Sequence, residues 1–236
     1  MNHFIELLID TSVALGKGVY SVGEDLVYGI ERTAEGLGAS SSGRISEIGQ
    51  ENEHIAKIIF ESLKYPLEEK GPLYKAIKII LIEYYSNFPE ETLRMIAEKG
   101  NIAVGFLAGR MLIGTAIAKS ITKRILIKIA ASEGFKLLAL RLGISTATTI
   151  SGIGTFGITA IVGGLMFQGV LQRASKSAEK IEKEYPYISK KLKENGHLDM
   201  LYFLIEGPMK KHLNAIKEAR KFPKQFESTA KIFYGH

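Results

Sequence analysis

The feature that most constrains this chain is an uncharged segment, residues 142–172, which contains no Asp, Glu, Lys or Arg. Of its 31 residues, 15 are apolar, seven are glycine, and the others are Thr, Ser and Gln. A membrane-spanning helix needs ~20 mostly apolar residues, so the segment exceeds one span and falls short of two. The glycine-rich residues 152–157 interrupt it near the middle. The pattern therefore predicts a helical hairpin.

Small residues recur in this hairpin at intervals of four, first at Gly143, Ala147 and Ser151, then at Thr155, Thr159 and Gly163. Such faces let helix backbones approach closely, as they do in lipid. Each helical glycine costs ~1 kcal/mol relative to alanine, so seven are expensive in water unless close packing uses them. Two interpretations stay open. The segment is either the buried hairpin of a soluble domain, or a hairpin stored in water and used in a bilayer.

Charge is distributed unevenly along the chain. Residues 1–60 carry a net charge of −5, residues 119–141 carry +5 and residues 173–236 carry +6, within a total of +6. Basic segments therefore flank the uncharged hairpin on both sides. This asymmetry indicates a polyanionic partner, and the hydrophobicity of what the basic residues flank favours an anionic membrane over nucleic acid.

Helical periodicity runs through almost the whole chain, and no β-hairpin signal is present, so the predicted fold class is all-α. We expect a compact multi-helix bundle around the central glycine-rich hairpin, in a single domain spanning residues 1–236. Its parts are an acidic-to-neutral segment 1–99, a hydrophobic core segment 100–172 and a basic segment 173–236. Helices are predicted over residues 4–37, 46–65, 72–85, 89–100, 209–221 and 224–233, with breaks at Pro186, Asn195-Gly196, Gly207-Pro208 and Pro223.

A second apolar stretch, residues 100–118, contains one charge, Arg110, and a GxxxG pattern from Gly105 to Gly109. A charge at mid-span is costly in lipid, so we expect a core helix in water and a poor membrane span. Residues 119–141 follow as a basic, hydrophobic connector with no clean apolar stripe.

The uncharged segment and its basic flanks, residues 119–141 and 173–193, resemble the pore-forming domain of colicins and related bacterial antagonism effectors. The uncharged run is shorter here and lies further from the C-terminus, which favours a separately evolved membrane-acting effector. The resemblance implies a toxin that permeabilises a target bilayer by inserting its hairpin. It also implies a protein partner, an immunity protein or a chaperone, and oligomerisation of the toxin in the membrane.

Enzymatic signals are weak, and no cofactor is expected. The chain has no cysteine, its five histidines lack metal-ligand spacing, and no nucleophile motif occurs. Residues 152–157 satisfy GxGxxG, but a Lys-rich helical pattern follows where a dinucleotide fold needs a second strand. We therefore predict no enzyme and no nucleic-acid partner. The N-terminus has no basic region before its apolar run, so a secreted protein would use a route without a classical signal peptide.

The predicted function is therefore insertion into a target-cell membrane. The alternative is a cytoplasmic interaction protein, such as an immunity protein, chaperone or scaffold, whose hairpin stays in the core. Two sets of residues are assigned to the membrane function. The insertion residues are Gly143, Gly152, Gly154, Gly157, Ile158, Ile161, Gly163, Gly164 and Phe167. The lipid-surface residues are Lys119, Lys123, Arg124, Lys128 and Arg173.

Overall fold

The computed structural model describes residues 45–105, 107–142, 144 and 160–223, and side-chain surroundings for these except 45–54, 141 and 160–167. The described residues form eight α-helices and no β-strand, so the all-α prediction is confirmed. A 3-10 turn, Leu198–Leu201, lies between the last two helices. In chain order the helices are α1 (Ile45–Lys64), α2 (Pro72–Tyr85), α3 (Glu90–Lys99), α4 (Arg110–Ala131), α5 (Glu133–Arg141), α6 (Ala160–Glu184), α7 (Pro186–Glu194) and α8 (Tyr202–Lys221).

Local sequence signals decide where several helices begin. Pro72 and Pro186 are the first residues of α2 and α7, where a missing backbone N–H costs no helix hydrogen bond. Ser132 caps α5, and its side chain accepts a hydrogen bond from the backbone N–H of Phe135 at 3.4 Å. The helix starts predicted at residues 46, 72 and 89 are confirmed to within one residue. The predicted helices over 4–37 and 224–233 lie outside the described residues.

The end of α3 is closed by a Schellman motif around Gly100. The backbone N–H of Ile102 bonds the carbonyl of Ala97 at 2.8 Å, and that of Asn101 bonds the carbonyl of Glu98 at 3.0 Å. Asn101 takes the left-handed conformation, with φ of 50°, while Gly100 stays right-handed. Gly100 serves close packing instead, because a Cβ there would lie 3.2 Å from the Cδ1 of Ile102.

The prediction of one apolar helix over residues 100–118 is wrong. Gly105 has φ of 46° and Gly109 has φ of 96°, neither of which fits a right-handed helix, and α4 begins only at Arg110. The GxxxG pattern therefore lies in a loop, and the arginine expected at mid-span opens a helix at the protein surface. Residues 119–141, predicted as a connector, form the second half of α4 and all of α5.

The prediction of a helix break at Gly207-Pro208 is also wrong, because α8 continues through Pro208. Proline cannot donate the backbone hydrogen bond that the carbonyl four residues earlier would accept. Here the ring is buried and is followed by the fully buried Met209, so core packing offsets the lost bond. The helix predicted over residues 209–221 is thus the C-terminal part of a longer one.

The centre of the fold is α2, which contacts α1, α4, α7, α8 and the 3-10 turn. Its sequence is apolar on nearly every side, and Lys75 is its only fully exposed residue. Tyr74, Ile77, Ile80 and Tyr85 are among its side chains with 2% exposure or less. A helix that is apolar on most of its sides must be covered on most of them, so α1, α4, α7, α8 and the 3-10 turn are arranged about it. Their buried side chains form one continuous cluster with those of α2.

Gly114 allows α4 to lie close against this central helix. A Cβ at this position would lie 3.4 Å from the Cβ of Tyr85 and 3.8 Å from the Cδ1 of Leu93. The glycine sits on the buried face of α4, which faces α2 and α3. Its missing side chain therefore sets the distance between α4 and the core.

An ion pair ties α7 to α2. The Lys191 Nζ lies 2.6 Å from the Glu83 Oε2, and the Glu83 side chain is only 12% exposed. Burial lowers the pKa of Lys191, but hydrogen bonds to Glu83 and Tyr187 outweigh it, so the pKa is raised overall. The Tyr187 ring contacts two cations, with the Lys191 Nζ 4.9 Å and the Arg220 guanidinium 3.6 Å from its centroid. These contacts join α2, α7 and α8.

His212 of α8 is a buried titratable group. Its ring meets the edge of Tyr84 at a centroid distance of 4.9 Å, and its side chain is 5% exposed. Burial lowers the pKa of His212 to about 4, a backbone hydrogen bond to Pro208 opposes the shift, and the nearby Lys211 charge adds to it. The folded protein therefore holds this imidazole neutral at neutral pH.

We expect Ile80→Ala to lower the free energy of unfolding by about 2–5 kcal/mol, because it leaves a cavity on the central helix. Lys75→Ala, on the exposed side of α2, should change it by about 0.5 kcal/mol or less. Urea denaturation followed by circular dichroism measures both. Equal effects of the two variants would contradict the central position of α2.

We expect the free energy of unfolding to fall by about 2 kcal/mol between about pH 7.5 and about pH 5 through His212. The unfolded histidine binds a proton near pH 6.5 and the folded one near pH 4, so acid favours the unfolded chain in this window. Denaturation of His212→Leu should lack this part of the pH dependence. His197→Asn, at an exposed left-handed position, is the control and should keep it.

Candidate functional site

Helix α4 has a buried face and an outward face of different chemistry. The buried face includes Ile113, Ile117, Ile121 and Ile125 and packs on α2 and α3. The outward face carries four residues whose spacings of seven, four and four place them on one side of a helix: Leu112, Lys119, Lys123 and Ile127. We call these four residues the basic-apolar face. All four are exposed.

The apolar members of this face are unusually open to solvent. Leu112 is 55% exposed and Ile127 is 57% exposed, and Met111 beside them is 79% exposed. Scattered exposed apolar residues are ordinary, but here they flank two lysines on one helix side. Lysine interleaved with large apolar residues is the pattern of helices that lie in a membrane interface.

One carboxylate, Glu69, lies within this face. Its Oε1 is 2.6 Å from the Lys123 Nζ, and the turn before α2 carries it there. The hydrogen bond and the charge of Lys123 lower the pKa of Glu69, and the charges of Lys119 and Lys78 lower it further. Three lysines therefore face one glutamate, and the surface keeps a net positive charge.

The predicted lipid-surface residues do not all share one environment. Lys119, Lys123 and Lys128 are exposed on α4. Arg124 is half-buried, and its Nη2 donates to the carbonyl of Gly100 at 3.0 Å. Arg173 is 8% exposed and lies inside the helix assembly, so it does not join the exposed basic surface.

The predicted insertion residues lie almost entirely outside the described part of the chain. The structure does not describe Gly143, Gly152, Gly154, Gly157 or Ile158, and of Ile161, Gly163, Gly164 and Phe167 it describes only the helical backbone in α6. The two described ends of the uncharged segment are buried. Ile144 is 5% exposed at one end, and Val170 and Leu171 are 2% and 0% exposed at the other.

Among the helices of the described residues, none is both long enough and apolar enough to cross a bilayer.

Chemistry of other kinds has little support in the described residues. No group of three His, Asp or Glu side chains there could hold a metal ion. Asp199, in the 3-10 turn, is 1% exposed, and burial raises its pKa. Ser189 is 1% exposed, and neither its hydroxyl nor the Asp199 Oδ1 has a hydrogen-bond partner. These are isolated buried polar atoms and do not form a nucleophile and base within reach of each other.

No protein-family model, curated protein or solved structure matches this chain.

Two parts of this surface, the basic-apolar face and Glu69, were not predicted from the sequence. The spacing from Leu112 to Ile127 places these residues on one helix side only when the helix is known to start at Arg110, and the sequence had predicted a helix from residue 100. The sequence does not predict the position of Glu69, because only the packing of its turn against α4 brings Glu69 and Lys123 together.

We expect the double variant Lys119→Gln/Lys123→Gln to bind vesicles rich in phosphatidylglycerol about 5- to 30-fold more weakly than wild type, since each lysine near a headgroup contributes ~1 kcal/mol. The matched control is Lys210→Gln/Lys211→Gln on α8, which removes the same charge from two other exposed positions. Co-sedimentation with vesicles measures binding. Equal losses in both variants would mean that net charge, and not this face, attracts the lipid.

Proposed function

We propose that this protein is a membrane-acting effector that docks on an anionic bilayer and inserts its uncharged glycine-rich hairpin to permeabilise it. The observation that carries the proposal is the basic-apolar face of α4, where Lys119 and Lys123 are exposed beside Leu112 and Ile127. The face carries net positive charge, which complements anionic headgroups. Lys119, Lys123 and Ile127 of this face belong to the basic flank, residues 119–141, that precedes the uncharged segment 142–172.

The proposed mechanism has two stages. Lysines of α4 draw the protein to the headgroups, an attraction that salt screens over ~8–10 Å. The hairpin then exchanges protein contacts for lipid contacts. This exchange desolvates no charge, because the segment contains none. Small-residue faces would then bring hairpins together in the membrane, and an immunity protein or chaperone would protect the producing cell.

The alternative is a soluble interaction protein whose hairpin never leaves the core. Near the ends of the uncharged segment, Ile144, Val170 and Leu171 are buried. This burial favours the interaction protein as much as it favours a hairpin that is stored in the core before insertion. The two functions differ in what happens on a bilayer, so a vesicle assay separates them.

We expect the purified protein to release dye from anionic vesicles, and to release less from zwitterionic vesicles or at high salt. Ile158→Asp and Ile161→Asp should keep surface binding and lose release, because a charge in the bilayer core costs on the order of 2.5–3.5 kcal/mol. Gly157→Leu and Gly163→Leu add apolar area without charge. They should still bind vesicles but release little dye, because leucine side chains replace the small residues through which the hairpins would pack together.

Circular dichroism establishes that each variant is folded before release is measured, since a buried unpaired carboxylate also destabilises a soluble core. Binding of the wild type with no release under any condition would favour the interaction protein. Folded Asp variants that release as much dye as wild type would show that the hairpin is not the active element.

A further inference from the structure

We propose that residues 101–105 and 107–109, together with Met111 and Leu112 in the first turn of α4, form a second membrane-contact element that enters the headgroup region of an anionic bilayer while the rest of α4 lies against it. This inference rests on the proposed function and adds a contact element separate from the hairpin. We call the described residues of 101–112, the last three of which are the first turn of α4, the docking loop.

The docking loop has an inner side and an outer side. Ile102, Val104 and Leu107 are half-buried and pack against the core cluster. The side chains that point away from it are exposed: Ala103, Ala108, Met111 and Leu112. Between Gly100 and Gly109 the chain carries no charge, and the exposed polar side chains of the docking loop are Asn101 and Arg110. Met111 and Leu112 add an open apolar surface, and exposed apolar patches mark interaction sites.

Two arginines hold the docking loop to the protein, one through a residue within the loop and one through the residue before it. The Arg94 Nη2 donates to the carbonyl of Leu107 at 2.8 Å, and the Arg124 Nη2 donates to the carbonyl of Gly100 at 3.0 Å. Arg94 is itself fixed by Glu90, 2.8 Å from the same nitrogen. Charge-assisted bonds to these carbonyls satisfy backbone groups that the irregular chain leaves outside a helix. The outer side chains are thus presented from an anchored base.

The surroundings of the docking loop favour a lipid over a protein as its occupant. Lys119 lies on the same side of α4 as Leu112, seven residues further on, which is about 10 Å along the helix. Lysines at this distance from an apolar tip can reach headgroups while the tip enters the acyl boundary, ~5–10 Å deep. Arg110 is exposed at the junction, where a long side chain can extend back to the headgroups.

The absence of tryptophan from the chain allows a direct test. Met111→Trp places the sole indole on the docking loop, at a side chain that is 79% exposed and so outside the core. Phe222→Trp is the matched control, on an apolar residue that is 57% exposed beyond the end of α8. The probe is a phosphatidylglycerol vesicle with brominated acyl chains, which quench a nearby indole. We expect M111W to be quenched at least twofold more than F222W and to shift its emission to the blue.

A second variant tests the energetic contribution of the loop. Met111→Asp/Leu112→Asp should weaken vesicle binding about fivefold or more, because it removes apolar area that enters the headgroup region. The matched control is Phe60→Asp/Phe222→Asp, which adds the same charge at two exposed apolar positions outside the docking loop and should weaken binding less. All four positions are exposed, so neither pair alters the core.

The outcomes separate this inference from the proposed function. Vesicle binding by wild type with M111W unquenched, or with M111W and F222W equally quenched, would overturn the docking loop and leave the membrane function standing. Failure of wild type to bind any vesicle would overturn both. Vesicle binding by Met111→Asp/Leu112→Asp with wild-type affinity would likewise exclude the docking loop from the membrane contact.

Discussion

The described fold is organised by the need to cover α2. Only one of its 14 residues, Lys75, is exposed, so most of its surface must be shielded from water. Contacts from α1, α4, α7, α8 and the 3-10 turn meet that need. Polar groups on its flank are matched to the covering: Glu83 pairs with Lys191 of α7, and Tyr84 meets the neutral His212 of α8. Each helix that covers α2 therefore has an inner face that packs on α2 and an outer face that is free of this packing requirement.

For α4, that division produces the candidate functional surface. Gly114 lets the helix lie close to Tyr85, and the isoleucines that follow at helical spacing complete its inner face. Lysines and large apolar residues remain on the outer side, next to the loop that α3 and α4 hold between them. The same packing carries Glu69 into contact with Lys123, which moderates the positive charge without cancelling it. The basic-apolar face and the docking loop are therefore products of one packing arrangement.

The errors of sequence reasoning share a physical origin. Residues 100–118 have the composition of a buried helix, yet Gly105 and Gly109 adopt left-handed conformations that composition does not reveal. Gly207-Pro208 reads as a break, yet burial of Pro208 against the core makes the lost hydrogen bond tolerable. Arg173 reads as a surface cation flanking the hairpin, yet it is 8% exposed. In each case, the local sequence pattern did not contain the conformation or the burial that the folded chain adopts.

The sequence by itself determined the all-α class, the starts of α2, α3 and α7 at or beside a proline, and the end of α3 near Gly100. These helix boundaries depend on dihedral limits and backbone hydrogen bonds within a few residues, so the local sequence is enough to predict them. It also determined that an uncharged 31-residue segment lies between basic flanks. Only the tertiary structure decided which side of α4 faces water, that Met111 and Leu112 are open, and that Glu69 reaches Lys123. Those outcomes depend on which faces of the neighbouring helices are buried against α2. This packing brings together residues that are far apart in the chain, so the local sequence does not predict it.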